Sequence, residues 1–259
     1  MSTGVTQPRT DAPLAPPSTR RGPAASADRG LRAAATGAGL GILLLAVLAT
    51  FGVLFAVDGL VTPGDPARTA RDIAGSEMLF KLGIVSLLVT AAVDVVVACG
   101  LYRVFRQTSS NVSMLAAWFR LAYATAFLVA VGHLVGALRM VHAPSGAFNT
   151  AQNQARALSD VNAFHDVFRA GLVLFGVHLL LVGYLAYRSG FVPRPLAALV
   201  FLAGAGYAFD SIASVLSNAS APAVASVTFF GEFLLGVWLL VRGRSLNEGA
   251  SKTPASGAG

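Results

Sequence analysis

The sequence predicts an all-α membrane protein, a six-transmembrane-helix bundle between disordered N- and C-terminal tails, on three observations. Six stretches of about 19 to 28 mostly apolar residues recur along the chain, and about 20 suffice to cross a bilayer. The chain is 55% hydrophobic and only 12% charged, whereas a soluble domain is nearer about a quarter charged. None of the stretches alternates apolar and polar residues as barrel strands do, and at these lengths only helices satisfy their own backbone in lipid.

The elements follow in order. Residues 1–32 are rich in Pro, Ala, Ser, Thr and Arg, show no apolar period, and are expected to form a disordered basic tail. A transmembrane domain is expected over 33–244, and a second disordered tail over 245–259. The spans are Ala34–Val61, Met78–Tyr102, Ser113–Met140, Phe164–Tyr187, Leu196–Leu216 and Ala223–Val241. The first is too long for a signal-peptide core and no small-x-small cleavage site follows it, so it reads as a retained helix. Ser76 and Glu77 before the second span resemble an N-cap with an acid in the first turn. Pro193 and Pro195 mark the start of the fifth span and Pro222 that of the sixth. The connections Thr62–Glu77 and Val141–Asn162 are long enough for a short interfacial helix each.

Basic residues orient the bundle. Arg9, Arg20, Arg21, Arg29, Arg32, Arg103, Arg106, Arg188, Arg194, Arg242, Arg244 and Lys252 fall on one side. Arg68, Arg71 and Arg156, with Lys81 and Arg139 at span edges, fall on the other. This bias places both termini in the cytoplasm of a multi-pass cell-membrane protein. It also accounts for much of the net charge of +7, and no basic helix or aromatic-basic patch suggests nucleic acid. Cys99, the one cysteine, falls in the second span and reads as a small buried apolar residue that can form neither an internal disulfide nor a thiolate cage. Gly37-x-x-x-Gly41 and Gly132-x-x-x-Gly136 allow close helix approach, more naturally within the bundle than in a homo-oligomer.

An ionisable side chain at a span centre costs about 2.5–3.5 kcal/mol on insertion scales, so buried charges are expected to face one another. Asp94 and Arg120 lie eight and seven residues from the inner ends of adjacent spans, which predicts an ion pair between them. A second group is nearer the outside. On the fourth span His165, Arg169, Gly176 and Gly183 share a face, with Asp166 at its edge and His178 pointing away. The fifth presents Tyr207 and Asp210, the sixth Glu232, and the three faces are expected to enclose Arg169, Asp210 and Glu232. One guanidinium has donors enough for two carboxylates. His133, His165, Asp166 and Tyr207 would line the same region. The histidines match no standard ligand spacing and Arg169 opposes a cation, so no metal or cofactor is indicated.

Several segments together resemble a known family. They are the run from Ala67 to Gly83, Phe119-Arg120-Leu121, the stretch from Gly183 to Arg194 with its Tyr-Arg-Ser-Gly-x-x-Pro-Arg loop, Gly206-Tyr207 with Asp210, and Gly231-Glu232. They are similar to the bacterial membrane-protein family termed domain of unknown function 4386. The resemblance covers most of Ala34 to Arg242 and implies a multi-helix integral membrane protein of about six helices, with no established activity.

The residues then leave three readings. The leading one is a non-enzymatic membrane protein whose charged core organises the bundle and binds or passes a small solute or proton. The second is an intramembrane enzyme acting on a lipid-like substrate through the His133, His165 and Asp group. The third is a partner or sensor subunit. Partners beyond the lipid bilayer are not specified.

Overall fold

A computed structural model describes residues 23–144, 149–217 and 224–243, with side chains described within 29–144, 149–216 and 230–243. No strand occurs among the described residues. Helix α1 (Pro23–Thr50) continues through a π-helical turn (Phe51–Val57) and a 3-10 turn (Asp58–Leu60). A short α2 (Pro66–Gly75) follows, then α3 (Glu77–Phe105), α4 (Ser110–Val141), α5 (Thr150–Ser189), α6 (Arg194–Ser217) and α7 (Val224–Arg242). Five helices are long and apolar enough to cross a membrane among the described residues: α1 with its outer turns, α3, α4, α5 and α6. Large apolar side chains such as Val47, Val85, Val96, Val129, Leu202 and Val215 point outward from them. An apolar exterior of this extent belongs in lipid rather than water.

Local chemistry sets the boundaries. Asp65 caps α2 by accepting from the Arg68 amide at 2.9 Å, with Pro66 at the first position. Asn149 and Gln152 form a reciprocal capping box at the start of α5. That helix ends at Gly190, whose φ of 72° is the left-handed stop only glycine adopts cheaply. Its 40 residues span about 60 Å, twice a hydrocarbon core, so its first turns stand clear of the membrane and pack on α2. The second long connection therefore holds no separate helix: Thr150–Asn162 is a straight extension of α5. The first connection does hold one, α2.

Three sequence expectations change. Residues 23–32, assigned to the N-terminal tail, are helical, while 1–22, 244–259 and Pro222 lie outside the described residues. Cys99 is exposed on α3 rather than buried. In the paired-glycine motifs only Gly41 and Gly136 meet neighbours, and a side chain at Gly37 or Gly132 would have open space.

Chain order is spatial order. α1 packs on α3, α3 on α4, α4 on α5, α5 on α6, α6 on α7, and α7 returns to α1. Short connections between antiparallel neighbours produce this arrangement. The ring closes tightly where glycines remove side chains from the contact. A Cβ at Gly176 would lie 2.7 Å from the Gly204 carbonyl oxygen on α6, and one at Gly39 2.7 Å from the Gly236 carbonyl oxygen on α7. Backbones that approach this closely leave the six long helices around one axis, and the polar groups of the bundle meet on it.

Candidate functional site

Four buried polar side chains meet at one level. Arg120 lies ten residues after Ser110 on α4, and Glu232 ten before Arg242 on α7, each about 15 Å from the end of the bundle where α1 begins and α7 ends, termed the inner end. Asp94 on α3 and His178 on α5 are each eleven residues from theirs, Phe105 and Ser189, or about 16 Å. Half of a hydrocarbon core is about 15 Å, so all four lie about half a membrane thickness along their helices.

Arg120 organises them. Its Nε donates to Asp94 Oδ1 at 2.8 Å, and its Nη2 reaches the same oxygen at 2.7 Å. Its Nη1 donates to Glu232 Oε1 at 2.6 Å and to His178 Nε2 at 3.1 Å. The guanidinium also lies over the Phe175 ring, 5.4 Å from its centroid. The Arg120 side chain is 1% exposed, Asp94 4% and Glu232 16%, so Glu232 is the member that meets open space. The histidine has a fixed tautomer. Its Nδ1 lies 2.8 Å from the Ala116 carbonyl oxygen, which only accepts, so Nδ1 carries the proton. Its Nε2 faces a guanidinium, which only donates, so Nε2 offers its lone pair. The ring is a neutral relay between Arg120 and the α4 backbone.

On the outer side of this network lies a partly open cavity of about 350 Å³. Asp94, Arg120, Glu232, Thr90, Tyr123 and Tyr207 supply its polar surface. Ile42, Leu45, Ala46, Ala49, Phe168, Leu172, Phe175 and Phe233 supply its apolar walls. Every long helix of the ring contributes. On the inner side the space beneath His178, between Tyr102, Phe105, Ser113, Ala116, Val182 and Leu185, has no room for a water molecule. Phe105, Phe191 and Trp238 stack in sequence at that end, with centroids 5.8 Å and 6.1 Å apart.

The remaining sequence-named residues are distributed differently from the expectation. Glu232 was placed with Arg169 and Asp210, but its cation is Arg120. Arg169 is exposed on α5, twenty residues or about 30 Å from Ser189, about one hydrocarbon thickness along the helix. Asp166 is exposed as well. Asp210 is buried on α6, and its neighbour Ser211 donates to the Arg169 carbonyl oxygen at 2.8 Å, so these residues share a helix contact without enclosing Glu232. Tyr207 lines the cavity. His133 and His165 take separate carboxylates: His133 Nδ1 is 3.9 Å from Asp160, and His165 Nε2 is 3.2 Å from Asp58. Among the described residues no three His, Cys, Asp or Glu side chains gather as a metal set.

His178 is the member of the network that sequence reasoning missed. It was set aside because it points away from the His165–Arg169 stripe. The signal that identifies it is depth, since it lies as far from its inner helix end as Asp94 does. The same count, applied to α7, moves Glu232 from the outer group to the level of Arg120.

A family described as a domain of unknown function (DUF4386) has a model that matches residues 37–243. An uncharacterised protein of Archaeoglobus fulgidus is 35% identical over 165 residues, covering 64% of this chain and 86% of that protein. No solved structure matches the chain. The matched region begins inside α1 and ends at Gly243, one residue past α7, so it takes in all six helices of the ring and every residue of the network.

Proposed function

The chain belongs to the DUF4386 family, and from that premise and the geometry of the ring we propose that it is a six-span protein of the cell membrane that holds a small solute or a proton in its outer cavity. α7 is the sixth span. It supports this role by closing the ring between α6 and α1 and by bringing Glu232 to the same depth as Arg120. An even number of spans puts both termini on one side, and the excess of Lys and Arg on that side makes it the cytoplasmic one.

The observation that carries the proposal is the cavity itself. A charge network needed only to clamp helices together is best surrounded by packed side chains, as buried polar groups are when their sole role is structural. Here a space within the size range of small-molecule sites ends on a carboxylate of the network, with aromatic walls around it. Arg120, Asp94 and His178 hold the floor, and Glu232 is the group a solute or proton reaches. The intramembrane-enzyme alternative has less support, because its two histidines sit on different carboxylates.

Thiol accessibility tests this reading. With Cys99 replaced by Ser, single cysteines are placed at Ala49 or Leu172 on the cavity wall and at Ala98 or Val182 in the inner half. A charged, membrane-impermeant thiol reagent needs water and an ionised thiol. Wall cysteines are expected to react when the reagent is added outside intact cells, and inner ones to stay unmodified. Wall cysteines that resist the reagent from both sides would leave the cavity dry and the proposal without its basis.

A further inference from the structure

Taken as formal charges, the floor of the cavity does not cancel. Arg120 contributes one positive charge, Asp94 and Glu232 one negative charge each, and His178 none, because its two ring nitrogens are fixed as one donor and one acceptor. One negative charge is left over inside the ring, where an uncompensated charge is expensive. Either a proton or a bound cation must complete the site.

The two carboxylates are not equivalent candidates. Asp94 takes two guanidinium nitrogens on one oxygen and is almost wholly enclosed. Glu232 takes one and is the more exposed, facing the cavity. The groups around Glu232 come from every neighbouring helix. They are Asp94 on α3, Arg120 and Tyr123 on α4, His178 on α5 and Tyr207 on α6, while α1 offers only alkyl wall. Of these, Arg120 is the one cation, and Asp94 already shares it.

The rest of the cavity suits a cation with an apolar body. Five aromatic rings line it: Tyr123, Phe168, Phe175, Tyr207 and Phe233. Ring faces attract ammonium groups, most strongly where water is excluded. The Arg120 guanidinium already exploits one of them, lying over Phe175. A simple metal cation would gain little from such walls, and an anion would meet the surplus negative charge.

We propose that this cavity binds a monovalent organic cation, a lipophilic amine or quaternary ammonium, seated against the Glu232 carboxylate and between the aromatic rings. The inference rests on the solute-cavity reading above and names its substrate class. When the cation enters, its ammonium forms an ion pair with the Glu232 carboxylate and offsets the surplus negative charge.

The full chain in nanodiscs, with empty discs subtracted, is titrated calorimetrically with three probes of similar size: benzyltrimethylammonium, its uncharged isostere neopentylbenzene, and benzenesulfonate. The cation should bind at least about tenfold more tightly than the isostere, and the sulfonate should not bind. E232Q should lower cation affinity by about tenfold or more, leaving the isostere unaffected. The probe series needs only the wild-type chain, so a variant that fails to fold does not weaken the test. An isostere or a sulfonate that binds as well as the cation, or no cation binding at all, overturns the inference. If the wall cysteines nonetheless react with the thiol reagent, the cavity reading survives that failure. If they do not, both fall together.

Discussion

The halves of the bundle on either side of Arg120 are built from the same helices and differ in what fills the axis. In the inner half, Ala116, Val182 and Leu185 close beneath His178 and leave no room for water. A stack of Phe105, Phe191 and Trp238 seals the end. In the outer half the helices part around a cavity, and α1 abandons regular geometry in a π-helical turn at Phe51–Val57. There Ser86 on α3 donates to the α1 carbonyl of Leu48 at 3.3 Å as well as to Gly83 within its own helix at 2.8 Å. Such widened turns need partners for the backbone groups they release, and they concentrate at functional sites. The comparison teaches that the buried charges mark a boundary. Below them the ring is packed without room for water; above them it surrounds a partly open cavity.

The boundary itself should be the most sensitive place in the molecule. Arg120→Met leaves Asp94 and Glu232 as two buried carboxylates with no cation between them. Breaking a buried pair by removing one partner costs about 3–5 kcal/mol, and here two pairs lose the same partner. The purified variant is expected to lose its cooperative thermal transition or to fail to accumulate in membranes. Arg120→Lys should recover only part of the loss, since one ammonium cannot reproduce the two-sided fork. A variant as stable as the wild type would mean that the network does not hold the halves together.

The two carboxylates sharpen the same comparison. Asp94 receives two guanidinium nitrogens and Glu232 one. Hydrogen bonds to charged groups contribute about 1.5–3 kcal/mol each, so Asp94→Asn should destabilise by about 2 kcal/mol more than Glu232→Gln. Thermal unfolding of the two variants, side by side, measures the difference. Equal losses would erase the distinction between a structural carboxylate and one turned to the cavity.

How much of this was legible in the sequence depends on what each inference used. The helices were readable because apolar length alone fixes a span in lipid, and α2 because Asp65-Pro66 is a strong start signal. Asp94 and Arg120 could be matched because residue counts from the inner ends translate directly into depth. Glu232 and His178 obey the same count, but helical-wheel faces were used for them instead. Faces are ambiguous until the neighbours of a helix are known, and nothing in the sequence states that α7 returns to α1. Arg169 was drawn inward for the same reason, since its stripe of glycines does face α6 while Arg169 itself is exposed. The π-helical turn left no mark, because Phe51–Val57 has the composition of any lipid-facing helix. The dry inner half and the open outer half are likewise a matter of side-chain volumes meeting across six helices, which no local pattern records.

Volume therefore offers the next test. Ala116→Phe forces a ring into the closed half beneath His178, where overpacking costs about 1–3 kcal/mol. Ala46→Phe adds the same ring to the cavity wall, where it has somewhere to go. The inner variant is expected to melt lower than the wild type. The outer one should stay within about 0.5 kcal/mol of it while blocking access to a cysteine at Leu172. The reverse order of stabilities would place the empty space on the wrong side of Arg120.

The smallest effect is expected at the outer rim, from a pair that resembles the central network in composition alone. His165 Nε2 lies 3.2 Å from Asp58 Oδ1, much as a guanidinium nitrogen lies near a carboxylate in that network. The Asp58 side chain, however, is 40% exposed and sits in the short 3-10 turn that ends the first span. Water competes for both groups, and pairs in such surroundings contribute about 0–1 kcal/mol. His165→Gln should therefore shift the melting temperature by a degree or two at most and leave labelling of the cavity wall unchanged. Nitrogen-to-carboxylate contacts of similar length are worth several kcal/mol around Arg120, because there no solvent can replace a lost partner. If the rim variant proved as damaging as Arg120→Met, depth in the bundle would no longer explain why one set of charges organises the fold and the other merely decorates it.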